Sequence, residues 1–375
     1  MSIVLDKKSA VSTFKALKKA VGKVSKERPI LGNTLLTVAD GRGVWTSTDL
    51  ETSVRIVAGQ VDSAMGPILV PIEPAIAATK SGATITIQSD GDKVNISTGL
   101  ATSSYTAAHA ADYPTIDMDA ESWVDLDGQV MAEVLERAVI HAAKEAARYA
   151  IRGVFFGGKE GIRAVATDGK RLYKSRILSD VTGVNAIVPV ATCNLILASL
   201  KNVSTVKMGW GFTNKGFTAR EFSRVVFKLG VDVEISARCI EEQFPAYDSV
   251  IPSYTDETGF RANADAVRSA IVAVSSVGRD GPISIKLTSD GALRFKPENA
   301  AAPVTAHIDG VSTGAWADVH FNPDYMEDLF EHARGNVLLD MGKDGENPGT
   351  VAGPVAIRQD GDTWVLMPVS DSAKR

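Results

Sequence analysis

Two kinds of hydrophobic spacing alternate along this chain. Runs such as I-T-I at 85–87, V-N-I at 94–96, V-V-F-K-L at 225–229, I-S-I-K-L at 283–287 and L-R-F at 293–295 lie between Asp-Gly and Asn-Gly-like turn residues and predict short strands. A helical period marks fewer segments. The strongest helices are predicted over 6–21, 129–148 and 263–277, with shorter ones over 72–81, 191–201 and 323–334. At 100° per residue, Ala10, Phe14, Leu17 and Val21 form the core face of the first helix. Met131, Val134, Leu135, Ala138, Val139 and Ala142 do the same for the second long helix.

The order of these elements repeats. The segment R-P-I-L-G-N-T-L-L-T-V-A-D-G-R-G-V-W-T-S-T-D-L-E (28–51) lies over R-Y-A-I-R-G-V-F-F-G-G-K-E-G-I-R-A-V-A-T-D-G-K-R (148–171), setting Thr48-Asp49 on Thr167-Asp168 at an offset of 119. I-L-V-P before the 72–81 helix matches A-I-V-P before the 191–201 helix, Pro71 on Pro189, at an offset of 118. A-D-Y-P-T-I-D (111–117) and Q-F-P-A-Y-D (243–248) close their units, and a weaker third copy begins after Pro252. Each unit reads helix, strands, helix, strands, which predicts an α+β protein of three repeated domains at 1–120, 121–252 and 253–375. Because Asp168 recurs as Asp49, the Thr-Asp element reads as an architectural turn, with Asp bonding its own backbone and Gly169 accepting positive φ.

A length of 375 residues suits two or three cores, and the 45% apolar and 23% charged composition is that of a soluble globular protein. No run approaches the eighteen or so apolar residues that span a bilayer, and M-S-I-V-L-D-K-K lacks the apolar core of a secretory signal. Cys193 and Cys239 have no metal-ligand spacing. These features predict a cytoplasmic protein with reduced thiols and no membrane partner.

The net charge of −5 argues against a protein coated with basic residues, but if the 40 Lys and Arg are segregated from the 45 Asp and Glu, one face is still strongly positive. Lys8, Lys15 and Lys19 share one arc of the first helix away from its core face. Arg137, His141, Lys144 and Arg148 share an arc of the second, and Lys80, Lys201, Arg268, Arg279 and Arg334 are available from the shorter elements, diluted by Glu73 and Glu145. Any one such arc is a solvated helix face. If the repeats pack side by side with sheets outside and helices inside, the arcs converge on one surface that would attract phosphates without reading bases, and the scarcity of aromatics among them favours a duplex over single strands.

Candidate chemistry is sparse. G-V-S-T-G at 310–314 matches a nucleophile elbow with Ser312 as nucleophile, but the A-W-A-D-V-H-F that follows alternates like a strand where a helix is required, so a hairpin turn is expected. The pairs Asp117/Asp119 and Asp125/Asp127 flank a proposed boundary and read as linker solvation. His109, His141, His307, His320 and His332 have no metal spacing, and no phosphate-binding or dinucleotide-binding glycine motif is present. Gly157, Gly158 and Gly161 read as a hairpin turn. No catalytic residue, metal or cofactor is expected.

The run R-P-I-L-G-N-T-L-L-T-V-A-D-G with T-S-T-D-L-E, then A-D-Y-P, A-R-Y-A-I-R-G-V-F-F, A-V-A-T-D-G-K-R-L, I-V-P, F-P-A-Y-D-S-V-I-P, F-N-P-D-Y and V-L-M-P-V resembles the bacterial sliding clamp family, the beta subunit of DNA polymerase III, in order across essentially the whole chain. The resemblance implies a non-enzymatic ring of two chains joined head to tail, sheet outside and helices inside, around duplex DNA. It implies a clamp loader and a polymerase as partners, each inserting a short peptide into an apolar groove. Carried over by motif position, the groove includes Ile151, Thr167, Gly169, Lys170, Arg171 and Leu172, then Pro245, Val250 and Tyr325, and finally Val365, Met367, Pro368 and Val369. Apolar anchors would supply most of the affinity and Arg171 a polar contact at the rim.

The chain departs from the family at several points. Lys170 stands where many bacterial clamps have His, S-D-S-A-K-R extends the C-terminus, and Glu73 occupies a position commonly basic. V-P-V-A-T lacks a basic pair often found there. DNA contact is then expected from Lys15, Lys19, Lys23, Lys26, Arg28, Lys144 and Lys201, with Lys80, Arg137 and Arg148 on the same faces. Two other readings stand beside this one: a clamp-like protein that binds peptides without encircling DNA, and a hydrolase using Ser312.

Overall fold

Among the described residues, eight strands and two α-helices follow in the same order in each third of the chain. The first set is β1 (Ser2–Asp6), α1 (Lys7–Val21), β2 (Asn33–Ala39), β3 (Arg42–Thr48), β4 (Thr52–Val61), β5 (Ile68–Pro71), α2 (Ile72–Ala78), β6 (Thr84–Asp90), β7 (Lys93–Ser97) and β8 (Thr102–Thr106). The second is β9 (Ser122–Asp127), α3 (Gly128–His141), β10 (Gly153–Gly157), β11 (Arg163–Thr167), β12 (Arg171–Lys174), β13 (Asn185–Pro189), α4 (Val190–Ser199), β14 (Thr205–Trp210), β15 (Arg224–Leu229) and β16 (Val233–Arg238). The third is β17 (Gly259–Asn263), α5 (Ala264–Ser275), β18 (Ile283–Leu287), β19 (Ala292–Pro297), β20 (Ala306–Asp309), β21 (Val319–Phe321), α6 (Pro323–Glu331), β22 (Asn336–Met341), β23 (Val355–Gln359) and β24 (Asp362–Leu366). The structure is a computed structural model that describes residues 2–21, 24, 26–61, 66–114, 118–145, 149–211, 223–253, 259–277, 281–288, 291–298, 306–309, 316–342 and 353–369, with the backbone alone of 307 and 309.

The chain packs into two compact units, Met1–Glu136 with Gly183–Glu241, and Arg137–Thr182 with Glu242–Arg375. In the first, strands run in the order β8-β7-β6-β1-β4-β16-β15-β14-β9, and β3 joins β4 to β2 and β5. The second contains the run β10-β11-β12-β24-β23-β22-β17 and a separate sheet β20-β19-β18-β21. Every pairing named is antiparallel, giving an α+β architecture. One pairing crosses between repeats in each unit: the fourth strand of one repeat bonds the eighth strand of the next. Val54 lies opposite Ile235 where β4 meets β16, and Leu172 opposite Val365 where β12 meets β24.

The helices bury the faces their spacing predicts. Ala10, Phe14, Leu17 and Val21 are buried on α1, where Phe14 meets Trp45 edge-on with centroids 5.3 Å apart. Met131, Val134, Leu135, Ala138 and Ala142 are buried along α3 and its end, while Val139 is half-buried. Asn263 caps α5 by accepting from Asp265 N and Ala266 N, and Asn322 caps α6 by accepting from Tyr325 N.

The second long helix differs from its predicted extent. It ends at His141 rather than 148, because Ala143 N donates to Ile151 O at 2.9 Å and turns the chain back despite the helix-forming Ala and Lys residues that follow. Lys144 is therefore off the helix, and Arg148 lies outside the described residues. Arg137 and His141, expected on a solvent-facing basic arc, are turned inward. Arg137 pairs with Asp362, which is 1% exposed, and its guanidinium lies 5.8 Å from the Trp364 ring centre. Asp362 also accepts from the Tyr173 hydroxyl at 3.1 Å and Arg176 N at 2.7 Å. A carboxylate taken this far from water needs that full set of donors, which is why the cation is drawn in. The acidic pairs also differ from linker residues: Asp125 and Asp127 lie in β9, where Asp125 meets Lys207 at 3.2 Å and Asp127 accepts from Val130 N at the start of α3, while Asp117 lies outside the described residues.

His141 is fully buried, with Nδ1 2.7 Å from Arg137 O and Nε2 without a hydrogen-bond partner among the described residues. Burial, followed by the nearby Arg171 charge, holds its pKa down to about 4, against the backbone bond and Asp168 and Asp328, which act the other way. The folded protein keeps this ring neutral while the unfolded chain protonates it below about pH 6.5. Acidification from there toward pH 4 therefore removes about 1.4 kcal/mol of stability per pH unit from this residue. Unfolding of the wild type and His141→Gln at pH 7 and pH 5 should show a smaller pH loss in the variant, and equal losses would contradict the assignment.

Candidate functional site

The Thr-Asp turn that leads from the third to the fourth strand is built twice with the same bonds. In the second repeat Thr167 Oγ1 accepts from Gly169 N and donates to Arg171 O, while Asp168 Oδ1 accepts from Lys170 N and Arg171 N. In the first repeat Thr48 Oγ1 accepts from Leu50 N and donates to Thr52 O, and Asp49 Oδ1 accepts from Glu51 N and Thr52 N. Both turns need a left-handed residue, Gly169 at φ 86° and Leu50 at φ 81°. The Asp carboxylates are thus structural acceptors in both copies.

Around the second of these turns lies a cavity of about 250 Å³. Ile151 comes from the single-turn helix Tyr149–Arg152, Thr167, Gly169, Arg171 and Leu172 from the turn and β12, and Val365 and Met367 from the end of the chain. Pro245, Ala246, Tyr247 and Val250 supply the remaining side through the turn Tyr247–Val250. β12 pairing with β24 brings Leu172 and Val365 face to face, and Met367 N donates to Lys170 O at 2.8 Å, so segments almost 200 residues apart share one wall. The lining is mainly apolar and Val250 is 39% exposed, which makes this a place for a bulky apolar side chain brought by another molecule.

Nine of the thirteen residues expected in the groove line it. Lys170, Tyr325, Pro368 and Val369 do not: Tyr325 lies behind Arg171, with the guanidinium 4.6 Å from its ring centre and the Lys170 ammonium 6.0 Å away, and Val369 N donates to His320 O. Ala246 and Tyr247 were missed, although they lie within the F-P-A-Y-D run whose Pro245 was included. Tyr247 closes an aromatic cluster in which Phe155 and Phe244 stack at 5.1 Å, and burial raises its phenol pKa.

Arg171 differs from a free rim contact. It is 9% exposed, its Nε donates to Asp168 Oδ2 at 3.0 Å, its Nη1 pairs with Asp328 and its Nη2 donates to Ile140 O at 2.7 Å. With its donors engaged on the protein, it ties the turn to α3 and α6 and leaves mainly its aliphatic part for the cavity.

The cations expected to meet phosphate divide differently from the expectation. Lys15 and Lys19 on α1, Lys26 and Arg28 beyond it, Lys80 beyond α2 and Lys201 beyond α4 are all exposed within the first unit. Lys144 is exposed in the second unit. Arg137 is withdrawn into the pair with Asp362, and Lys23, Arg148 and Arg279 lie outside the described residues. Ser312 also lies outside them, so the nucleophile-elbow reading gains no placement. No group of three metal-binding side chains occurs among the described residues, and Cys193 and Cys239 are buried and unbridged.

Gly169 carries the conformational demand of the groove turn. A Cβ there would meet nothing within 4 Å, so Gly169→Ala should cost only the left-handed strain, about 1 kcal/mol. A thermal-unfolding comparison checks this, and a loss of several kcal/mol would show that packing, not backbone conformation, requires the glycine.

No protein-family model matches the chain. The beta sliding clamp of Vibrio cholerae is 25% identical over 354 residues, covering 91% of this chain and 92% of that protein, and the Escherichia coli K12 beta sliding clamp is 27% identical over 315 residues, covering 80% and 82%. Among solved structures, the Pseudomonas aeruginosa sliding clamp, DNA polymerase III subunit beta, bound to griselimycin superposes with a TM-score of 0.84 at 19% identity over 99% of both chains. The Thermotoga maritima DNA polymerase III beta subunit superposes with a TM-score of 0.79 at 20% identity, over 98% of this chain and 99% of that one. The chain is thus similar along most of its length to proteins named beta sliding clamp, and it shares the fold of the solved DNA polymerase III beta subunits.

Proposed function

We propose that the chain is a DNA sliding clamp: two copies close head to tail around duplex DNA and tether polymerase and loader through the groove beside β12. It works by holding rather than by chemistry, and it acts in the cytoplasm on DNA of any sequence. The three repeats then correspond to domains at 1–120, 121–252 and 253–375.

The observation that carries this reading is the pattern of strand pairing. The fourth strand of the first repeat is bonded to the eighth of the second, and the fourth of the second to the eighth of the third. The next member of the series is β20, the fourth strand of the third repeat, and it is an edge strand; the eighth strand of the first repeat, β8, is an edge strand as well. A β20–β8 pairing between two copies continues the same ladder twice and closes the assembly. The helix packing agrees. α1 of the first repeat packs on α4 of the second, so the counterpart contact between copies is α5 on α2. α5 exposes Val272, at 49%, and a cavity of about 180 Å³ lies among Pro74, Ala77 and Ala78 of α2 and Ser103 and Tyr105 of β8.

On such a ring the exposed lysines and arginines act as a diffuse attraction for phosphate, which permits sliding because no base is read. The groove supplies the tether, with Leu172, Val250, Val365 and Met367 as apolar contacts for a partner's peptide. A single weak peptide contact suffices when the ring itself cannot leave the DNA.

Ala107 N donates to Asp92 O and Thr98 N to Ala101 O, so the odd-numbered residues of β8 bond β7 and the N–H groups of Thr102, Ser104 and Thr106 point to the open edge. Ser104→Pro removes one outward backbone donor and the Ser104 hydroxyl bond to Asn95, and leaves the backbone bonds between β7 and β8 in place. Light scattering should give a dimer for the wild type and a shift toward monomer for this variant at micromolar concentration. A wild-type monomer, or a dimer indifferent to the substitution, would remove β8 from the interface. Peptide binding is tested separately: Val250→Arg should abolish capture of a polymerase-derived peptide while leaving the dimer intact, and unchanged capture would place the tether elsewhere.

A further inference from the structure

We propose that the grip on DNA is one-sided: phosphate is attracted by the helices of the first unit, while the helix pair of the third repeat supplies no attractive contact. The inference rests on the clamp reading and deepens it by saying which surface of each chain the duplex meets.

In the first unit α1 packs against both α2 and α4, which gathers their ends on one helical layer. Lys15, Lys19, Lys26, Arg28, Lys80 and Lys201 are exposed there, and none has a carboxylate partner among the described residues. Lys18 is the exception, spent on Glu73 at 2.6 Å. This neutralises the one acidic residue on α2, and with α1 free of acidic residues the six exposed cations outnumber Glu27, the carboxylate between Lys26 and Arg28, so the layer keeps a net positive field.

The third repeat has the opposite balance. The only cation on α5 is Arg268, whose Nε donates to Phe330 O, whose Nη2 donates to Ala333 O and which pairs with Asp265 at 2.9 Å. Arg334, just after α6, donates through Nη1 to Glu331 O and Ala333 O and is exposed without a carboxylate partner among the described residues, one cation beside the acidic residues of α6. α6 itself carries Asp324, Glu327, Asp328 and Glu331, of which Asp328 is neutralised by Arg171 and the other three have no cation partner among the described residues. A phosphate near α6 therefore meets negative charge, and the equivalent helix α4 carries no charge at all. Because α1, α2 and α4 occupy the places in their repeats that α5 and α6 occupy in theirs, the contrast lies between equivalent positions of one repeated plan.

Each phosphate neutralised by a lysine contributes about 0.9 to the slope of log K against log salt. Binding of a 30-base-pair duplex to the full-length protein, followed by fluorescence anisotropy between about 20 and 200 mM salt, should therefore lose about 1.8 from that slope per chain in Lys15→Gln/Lys19→Gln, with a loss of affinity of at least tenfold at the lowest salt. Lys26→Gln/Arg28→Gln is the second variant, should the first fail to fold as judged by thermal unfolding. Glu327→Gln/Glu331→Gln should leave the slope no shallower and the affinity equal or higher. An unchanged slope in both lysine-side variants, or weaker binding in the glutamate variant, would overturn the one-sided grip while leaving the clamp reading standing. Absence of any salt-sensitive binding by the wild type would overturn the one-sided grip, whereas the clamp reading fails on loss of retention on circular DNA.

Discussion

Backbone hydrogen bonds that pass from one repeat into the next are the constraint on which this molecule depends. Within each third of the chain, the fourth and the eighth strands have an open side, and an open strand edge is a row of unsatisfied donors and acceptors that invites another strand. The chain answers this twice internally, β4 with β16 and β12 with β24. Of the fourth and eighth strands, β8 and β20 are the two left at sheet edges among the described residues. Neither strand is long or apolar: β8 reads T-S-S-Y-T and is largely exposed, which suits a specific partner edge and disfavours indiscriminate pairing.

The groove is a by-product of the same ladder. Where β12 meets β24, the chain end is brought against the Thr-Asp turn, and the turn Tyr247–Val250 walls the other side. At the corresponding place in the first repeat the lining is different. Thr52 and Ser53 are buried where Arg171 and Leu172 stand, Thr52 is hydrogen-bonded to Thr192, and Tyr113 donates to Asn33 O from a buried position. One backbone plan thus yields a polar, bonded junction in one copy and an apolar recess in the other, and side chains alone make the difference. Arg171 stabilises the recess by carrying two carboxylates and a helix carbonyl, which keeps its charge away from the apolar surface.

Much of this was legible in the sequence. The repeat offset located the duplicated turn, strand alternation located β6, β7, β15, β18 and β19, and the core faces of α1 and α3 followed from spacing. Other features resisted because they depend on partners distant in the chain. Nothing near Arg137 announces Asp362, 225 residues away, and a helical wheel reads both Arg137 and His141 as solvent-facing until that carboxylate is in place. The end of α3 at His141 is set by a bond to Ile151 and overrides the helix-forming residues beyond it. Arg171 read as a rim contact because Asp328 lies on a different repeat, and Tyr247 escaped notice because its role comes from stacking geometry with Phe155 and Phe244 rather than from a motif. Polar pairing over long separations, more than hydrophobic patterning, is what the linear sequence conceals.

The central claim is that two copies enclose DNA rather than merely adhere to it. Its most direct test is retention on a nicked circular plasmid after loading by a clamp loader, followed in high salt before and after a single restriction cut. Enclosure predicts that the protein stays on the circle at salt concentrations that abolish phosphate attraction and is released within the time needed to slide off once the DNA is linear. Equal loss from circular and linear DNA, or equal retention on both, would contradict it.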